Sequence, residues 1–192
     1  MRFYDFQAGQ VLLDGHDIRD YSQEELRQSI GLVLQDPFLY HGTIASNIRM
    51  YQDLSDEEIK AAAEFVDADQ FIQKLPDQYQ APVSERGSSF STGQRQLLAF
   101  ARTVASKPKI LILDEATANI DSETEAIVQN SLAKMRKGRT TIAIAHRLST
   151  IQDANCIYVL DKGKIIEHGR HEELLNQKGT YYKMYQLQAG ML

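Results

Sequence analysis

The chain has 192 residues, of which 43% are hydrophobic and 24% charged, a composition typical of a folded globular domain and not of a disordered chain. Its 26 acidic residues outnumber its 21 basic ones, and the net charge of -5 provides no broad basic surface for nucleic acid or an anionic membrane. The single Cys156 can form neither an internal disulfide nor a cysteine zinc site, which indicates a reducing compartment. No apolar run approaches the roughly 18 residues that a membrane-spanning helix needs.

Four capping boxes, the first near the start of the chain, predict where helices begin. In each box a serine and the residue three positions later satisfy each other's free backbone amides. The pairs are Ser22 with Glu25, Ser55 with Glu58, Ser91 with Gln94, and Ser122 with Glu125.

Three short, continuous apolar runs predict strands of a parallel sheet covered on both faces, at residues 30–34, 110–113 and 141–145. Polar residues follow each run: Gln35 follows the first, Asp114 and Glu115 the second, and His146 the third. In open α/β sheets, ligands bind beyond the carboxyl ends of the strands. These four side chains are therefore candidate site residues on one rim.

The rest of the chain divides around this predicted sheet. Residues 45–102 contain several helices and no convincing strand, which predicts a helical subdomain inserted into an α/β core formed by residues 1–44 and 103–192. Near the end, the turn sequence at 161–163 predicts a hairpin between residues 156–160 and 164–167. Residues 181–187 are predicted to form a terminal helix.

The adjacent carboxylates Asp114 and Glu115 suggest phosphate chemistry, because burying unpaired charges at the end of an apolar strand is costly. Asp114 could hold a magnesium ion while Glu115 orients or deprotonates a water molecule. His146 could donate a hydrogen bond to a phosphate oxygen, and Gln35 could bind a metal ion or water through its amide oxygen. Taken alone, a carboxylate pair at a strand end is more often simply exposed to solvent, and a histidine there is usually structural. A glutamine before a turn is equally ordinary.

Residues 87–97 form a loop rich in serine and glycine that runs into a predicted helix. The free N–H groups and the positive dipole end of such a helix favour an anion. Capping by Ser91 and Gln94 would be expected with or without a ligand. Gly93 has poor helix propensity, so it indicates the close approach of a ligand or of another part of the backbone.

Several ordered motifs together resemble the nucleotide-binding domain of ATP-binding cassette (ABC) exporters. They are residues 91–96, 110–117 and 145–150, with residues 9–15 and 33–39 upstream, so the resemblance covers nearly the whole chain. It implies a parallel-sheet P-loop NTPase core of the ABC ATPase type, with an inserted helical subdomain and a C-terminal hairpin and helix. Residues 1–192 would then be a single nucleotide-binding domain lacking its N-terminal part.

The resemblance also implies a role for each matching residue. Gln35 would be the Q-loop residue, which senses the metal ion and the γ-phosphate, and residues 83–87 the loop that contacts the coupling helices. The other implied roles are the signature motif for Ser91, Thr92, Gly93 and Gln94, the magnesium ligand for Asp114, the catalytic glutamate for Glu115, the D-loop for residues 118–121 with Asp121, and the switch histidine for His146.

Partners and location follow from the same resemblance. In this family the signature of one domain binds ATP held by a second nucleotide-binding domain, so that two ATP molecules with Mg²⁺ lie in a head-to-tail dimer. The second partner would be the transmembrane domain of the same transporter, which places this chain at the cytoplasmic face of the membrane. The transported substrate is not encoded in the chain, because the family recognises substrates with its transmembrane helices.

Two departures from the family pattern qualify these expectations. The phosphate-binding pattern G-x-x-x-x-G-K-[ST] is absent. In the family it would lie just before Arg2, with Met1 inside the helix that follows it, so the chain is expected to be a fragment that is inactive alone. In the signature, Thr92 replaces a glycine, and its branched side chain predicts poor hydrolysis at the site that it completes.

The Thr92 departure favours a heterodimer over a homodimer, because a partner with the usual signature could complete the site containing Glu115. Two other readings remain open at this point. The chain could be a non-hydrolytic partner that supplies only a signature face, or a soluble ABC ATPase without a membrane partner.

Overall fold

The computed structural model describes residues 1–114, 122–145 and 147–190, with the side chains of residues 122 and 123 excepted. The chain divides into two compact units, Met1–Ile142 and Ala143–Leu192. None of the helices within these described ranges is long and apolar enough to cross a membrane.

The first unit contains most of the regular structure. Its strands and helices are, in chain order, β1 (Leu12–Leu13), β2 (His16–Asp17), α1 (Gln23–Ser29), β3 (Ile30–Val33), β4 (Gly42–Thr43), α2 (Ile44–Arg49), α3 (Asp56–Phe65), α4 (Asp69–Ile72), β5 (Pro82–Val83), α5 (Thr92–Ala105), β6 (Ile110–Asp114) and α6 (Ser122–Arg136). Strand β7 (Thr140–Ile144) spans the boundary between the units. The second unit adds β8 (Ile157–Asp161), β9 (Lys164–Gly169), α7 (His171–Gln177) and α8 (Thr180–Gln188).

Capping boxes begin the helices largely where the sequence predicts them. Ser22, Ser55 and Ser91 cap α1, α3 and α5, each with its partner side chain returning the hydrogen bond. At the fourth predicted box α6 begins at Ser122, and the side chain of Ser122 lies outside the described residues, so the box itself stays a prediction. The family resemblance implies that Met1 lies within a helix, and this is wrong for the described residues, because the first helix begins at Gln23.

The central sheet has the strand order β3-β6-β7. Strands β3 and β6 are parallel, with Ile30 opposite Ile110 and Val33 opposite Leu113, which confirms the predicted parallel sheet. Thr103 of α5 covers one face so closely that a Cβ atom at Gly31 would lie 2.7 Å from its methyl carbon.

Strands β3 and β6 are fully buried on only one face, and no residue of β7 is buried on either face. Because side chains alternate between the faces of a strand, the two sets can be compared directly. The buried set is Gly31, Val33, Leu111 and Leu113, while the half-buried set is Ile30, Leu32, Ile110 and Ile112. The prediction of two covered faces is therefore wrong for the described residues, since a continuous apolar run does not itself supply the covering element.

Helix α5 forms the centre of the helical region. It contacts α2, α3 and α6, and its buried Leu97, Leu98 and Phe100 belong to the main hydrophobic core. The expectation of no strand between residues 45 and 102 is wrong at one place, where Pro82–Val83 pairs antiparallel with Gly42–Thr43. A two-residue strand is too short for its periodicity to be recognised in a sequence.

The second unit is built on the predicted hairpin. Strands β8 and β9 pair antiparallel around Lys162 and Gly163, which both have positive φ angles, as a tight hairpin turn requires. Ile157 and Val159 on one face of β8 belong to a small core with helices α7 and α8. Helix α8 confirms the predicted terminal helix.

Glu167 joins the hairpin to the start of α8. Its carboxylate accepts hydrogen bonds from the backbone amides of Thr180 and Tyr181, and the bond from Tyr181 is 3.0 Å long. These hydrogen bonds hold the pKa of Glu167 below its ordinary value, and the bond from the Tyr181 amide has the larger effect. Glu167 thus caps a helix whose own N-cap, Gly179, has no side chain to do so.

We predict that Glu167→Gln lowers the free energy of unfolding by about 1 kcal/mol at neutral pH, because an uncharged amide replaces a charged cap. Since the folded-state pKa is depressed, this stability is present above the ordinary glutamate pKa and is lost as the pH falls through the folded-state value. Denaturant unfolding at pH 7 and pH 3 checks this: the difference between wild type and variant should shrink at pH 3. The exposed Glu85→Gln is the control, and an equal loss in both variants would contradict the capping role.

Candidate functional site

The N-terminus of α5 combines a serine cap with a first turn that has no acidic residue. Ser91 Oγ accepts a hydrogen bond from the backbone amide of Gln94 at 3.2 Å, and Gln94 Oε1 accepts one from the backbone amide of Ser91 at 3.0 Å. The Ser91 hydroxyl acts as an acceptor in this box, so its own proton remains available for donation. An exposed hydroxyl and the positive end of a 14-residue helix form a site that favours an anion.

Arg95 adds positive charge to the same helix end. Its guanidinium donates to Phe90 O at 2.9 Å and to Thr92 Oγ1 at 3.1 Å. The threonine that departs from the family pattern is therefore engaged as a hydrogen-bond acceptor by the arginine three residues along the helix.

Gly93 is buried against the beginning of α6. A Cβ atom at this position would overlap the side chain of Thr124. The sequence predicts that Gly93 marks the close approach of a ligand or backbone, and the structure supplies a side-chain neighbour from another helix. The glycine allows α5 and α6 to pack closely at their N-termini.

Gln35 and Asp114 lie at the carboxyl ends of two neighbouring parallel strands. Asp114 is the last residue of β6, and Gln35 comes two residues after the end of β3. Because Val33 pairs in parallel with Leu113, Gln35 follows the end of β3 beside the end of β6, where Asp114 lies. Asp114 is half-buried and Gln35 is exposed. Both offer oxygen atoms, the ligands that Mg²⁺ prefers.

The structure tests neither the two other predicted rim residues nor the D-loop residue that the resemblance implies. Glu115, Asp121 and His146 lie outside the described residues. Within the ranges that are described, no three histidine, cysteine, aspartate or glutamate side chains form a metal-binding cluster.

Residues 84–87, in the segment that the resemblance assigns to coupling, contact the chain that follows Gln35. The Arg86 amide donates to Leu39 O at 3.0 Å, and Gly87 adopts a φ angle of +63° beside the Leu39 side chain. A Cβ atom at Gly87 would lie 2.6 Å from Leu39 Cδ1. The two loops therefore pack together just before α5 begins.

Two residues that the sequence analysis does not identify also contact the chain at residues 38–40, shortly after Gln35. Arg102, in the last turn of α5, donates to Phe38 O at 2.9 Å and to Asn47 O at 2.8 Å. Asn47 is 1% exposed and bonds both the amide and the carbonyl of Tyr40 at 2.8 Å. No sequence signal identifies them, because Arg102 and Asn47 are 55 positions apart and belong to no motif that the sequence analysis recognised.

Comparison with known proteins identifies the class of protein to which this fold and helix terminus belong. The family model described as ABC transporter matches residues 1–118, more than half of the chain, so the chain belongs to the ABC transporter family. A solved structure of a bacterial Atm1-family ABC exporter with ATP bound is similar to 98% of the chain, with 43% identity and a TM-score of 0.90.

Curated relatives are also similar over the whole length of the chain. A putative ABC transporter ATP-binding protein, exp8, of Streptococcus pneumoniae is 80% identical over 192 residues, all of this chain and 33% of the relative. A probable multidrug resistance ABC transporter ATP-binding/permease protein, YheH, of Bacillus subtilis is 54% identical over 98% of this chain and 28% of its own length. The chain thus spans about a third of the length of these relatives, and the exporter structure is covered to the same extent, 33%.

We predict that Gly93→Ala destabilises the chain by about 1–3 kcal/mol, because the added methyl group must displace Thr124. The direction is diagnostic, since alanine normally stabilises a helix relative to glycine by about 1 kcal/mol. Denaturant unfolding measures the effect. Thr124→Ala should recover part of the loss in the double variant, and strictly additive losses would contradict the contact.

Proposed function

We propose that this chain forms part of the ATP-binding and ATP-hydrolysing machinery of an ABC exporter, at the cytoplasmic face of the membrane. The observation that carries the proposal is the serine-capped, acid-free N-terminus of α5, which favours an anion in a chain that belongs to the ABC transporter family. The similar solved structure is that of a bacterial Atm1-family ABC exporter, which supports export. A relative from Syntrophus aciditrophicus, 50% identical over 188 residues, is named an ATP-dependent lipid A-core flippase.

Rim residues would bind the metal ion and activate water in this proposal. Asp114 and the amide oxygen of Gln35 would hold Mg²⁺, because hard oxygen donors from neighbouring strand ends suit that ion. Glu115 would accept a proton from the attacking water, and His146 would donate a hydrogen bond to the γ-phosphate. The sequence contains no phosphate-binding loop of the G-x-x-x-x-G-K-[ST] type, so this chain alone is expected to bind ATP weakly.

The signature face would contact ATP held by a second nucleotide-binding domain. Ser91, with its free hydroxyl proton, and the first amides of α5 would donate to the γ-phosphate, and Asp121 would lie at the same interface. The transmembrane domain of the same transporter would be the other partner.

We predict that Glu115→Gln, in the transporter that carries this sequence, lowers the rate of ATP hydrolysis by at least about a hundredfold while ATP binding is retained. Glutamine keeps the shape of the side chain but cannot accept the proton. Asp114→Asn should instead weaken magnesium-dependent ATP binding. Phosphate release and nucleotide titration measure the two effects, and wild-type turnover in Glu115→Gln would remove Glu115 from the role of general base.

Thr92 leads us to propose a heterodimer as the working assembly. In a homodimer both composite sites would carry this threonine, whose branched side chain and bonded hydroxyl occupy the place of the family's glycine. A partner with the usual signature would instead complete the site that contains Glu115. The Thr92 site would then retain ATP without cleaving it.

We predict that co-expression with a neighbouring cassette gene yields a mixed complex whose turnover depends on Glu115 much more than on the partner's equivalent carboxylate. Thr92→Gly should change the turnover of that complex little, because the Thr92 site contributes little hydrolysis. Purification by a tag on one chain, followed by ATPase assays, tests both points. A stable homodimer with full ATPase activity would contradict the heterodimer.

A further inference from the structure

We propose that Arg102 and Asn47 are positioning residues that fix the Phe38–Tyr40 segment to α5, so that the Gln35 loop and the signature end of α5 are held as one body. The role of Gln35 in this inference rests on the proposed function. The fixing of the segment does not, because it stands on hydrogen bonds within the first unit.

Three consecutive carbonyl groups of the Phe38–Tyr40 segment are bonded to three different elements. Phe38 O accepts from Arg102 of α5 at 2.9 Å, Leu39 O from the Arg86 amide at 3.0 Å, and Tyr40 O from Asn47 of α2 at 2.8 Å. A loop is normally solvated by water and moves easily. This one is bonded at three consecutive residues, beginning three positions after Gln35.

The side-chain amide of Asn47 is fully used. Its oxygen accepts from the Tyr40 amide at 2.8 Å and from Arg102 Nη2 at 3.1 Å, while its nitrogen donates to Tyr40 O and to Thr43 O. Two acceptor positions and two donors are all that an asparagine side chain offers. Both the oxygen and the nitrogen of the Asn47 amide are therefore held by hydrogen bonds, and the amide in turn fixes the backbone at Tyr40.

Arg102 is a half-buried cation that forms no ion pair within the described part of the chain. Its three nitrogens donate instead to Asn47 O, Phe38 O and Asn47 Oδ1, and the guanidinium lies 5.6 Å from the centre of the Tyr40 ring. Burial lowers the pKa of Arg102. Withdrawing a charged group from water is costly unless its donors are satisfied, so the half-buried guanidinium depends on the carbonyl groups of the segment.

Helix α5 connects this anchor to the signature motif. Arg102 lies eleven residues after Ser91, which corresponds to about 16 Å along a rigid helix. Because nine of the 14 residues of α5 are buried, the helix cannot shift without its neighbours. A displacement of the Gln35 loop is thereby transmitted to the signature end.

The first test uses amide hydrogen exchange in this chain to measure how firmly the Phe38–Tyr40 segment is held. Arg102→Lys should raise the exchange rate of the Tyr40 amide and its neighbours by at least about tenfold, because an ammonium group cannot reproduce three donors in a planar fork. Arg49→Lys is the matched control on α2, since Arg49 bonds Leu54 O and Asp56 and not this segment. Unchanged exchange in Arg102→Lys, or an equal rise in Arg49→Lys, would overturn the proposal.

The second test uses the transporter that carries this sequence. Arg102→Lys should lower kcat for ATP hydrolysis about tenfold and leave KM for ATP within about twofold, since the loop is misplaced while the nucleotide contacts remain. Adding Arg102→Lys to Gln35→Ala should then cause no further loss, because both changes act through the same side chain. Asn47→Asp, which loses both amide donors but keeps the size of the side chain, should behave like Arg102→Lys.

Independent, multiplicative losses in the double variant, or a general rise in KM, would overturn the positioning role. A loss of folding would appear as a lower thermal midpoint, so midpoints of all variants are compared with that of Arg49→Lys. If the wild-type transporter hydrolyses no ATP, the proposed function fails, and the exchange measurement alone then decides whether Arg102 fixes the segment.

Discussion

Close packing around α5 is the constraint on which the rest of the first unit depends. The helix contacts α2, α3, α6 and β3, and fully buried side chains such as Leu98 and Phe100 each contribute roughly 1.5–3 kcal/mol. Gly31 and Gly93 lack the Cβ atom that would hold their neighbours away from this helix. The position of the candidate site is thus a consequence of core packing.

Local signals were sufficient to predict most of the fold. Capping boxes at Ser22, Ser55 and Ser91 predict helix starts because the two hydrogen bonds involve residues only three positions apart. Strands β3 and β6 are predicted because a short continuous apolar run is typical of a strand in a buried parallel sheet. The covering of the second sheet face could not be predicted, since it depends on which elements reach that face and not on the strands themselves.

The candidate site could be predicted only where its chemistry is local. Ser91 and Gln94 form a box within four residues, and the parallel register brings Gln35 and Asp114 to one end of the sheet, as the strand pattern predicts. Asn47 and Arg102 could not be found in this way. An asparagine and an arginine on separate helices have the composition of an exposed surface, and only the tertiary structure shows that they bond each other and the same loop.

Thr92 shows how a local rule and a tertiary structure combine. A branched residue is unfavourable inside a helix because it crowds the preceding turn, but Thr92 is the first residue of α5 and has no preceding turn. Its hydroxyl also accepts a hydrogen bond from Arg95, so the fold tolerates the threonine without strain. The departure from the family's glycine is therefore not a folding defect, and any effect that it has must act on a molecule that approaches α5 from outside this chain.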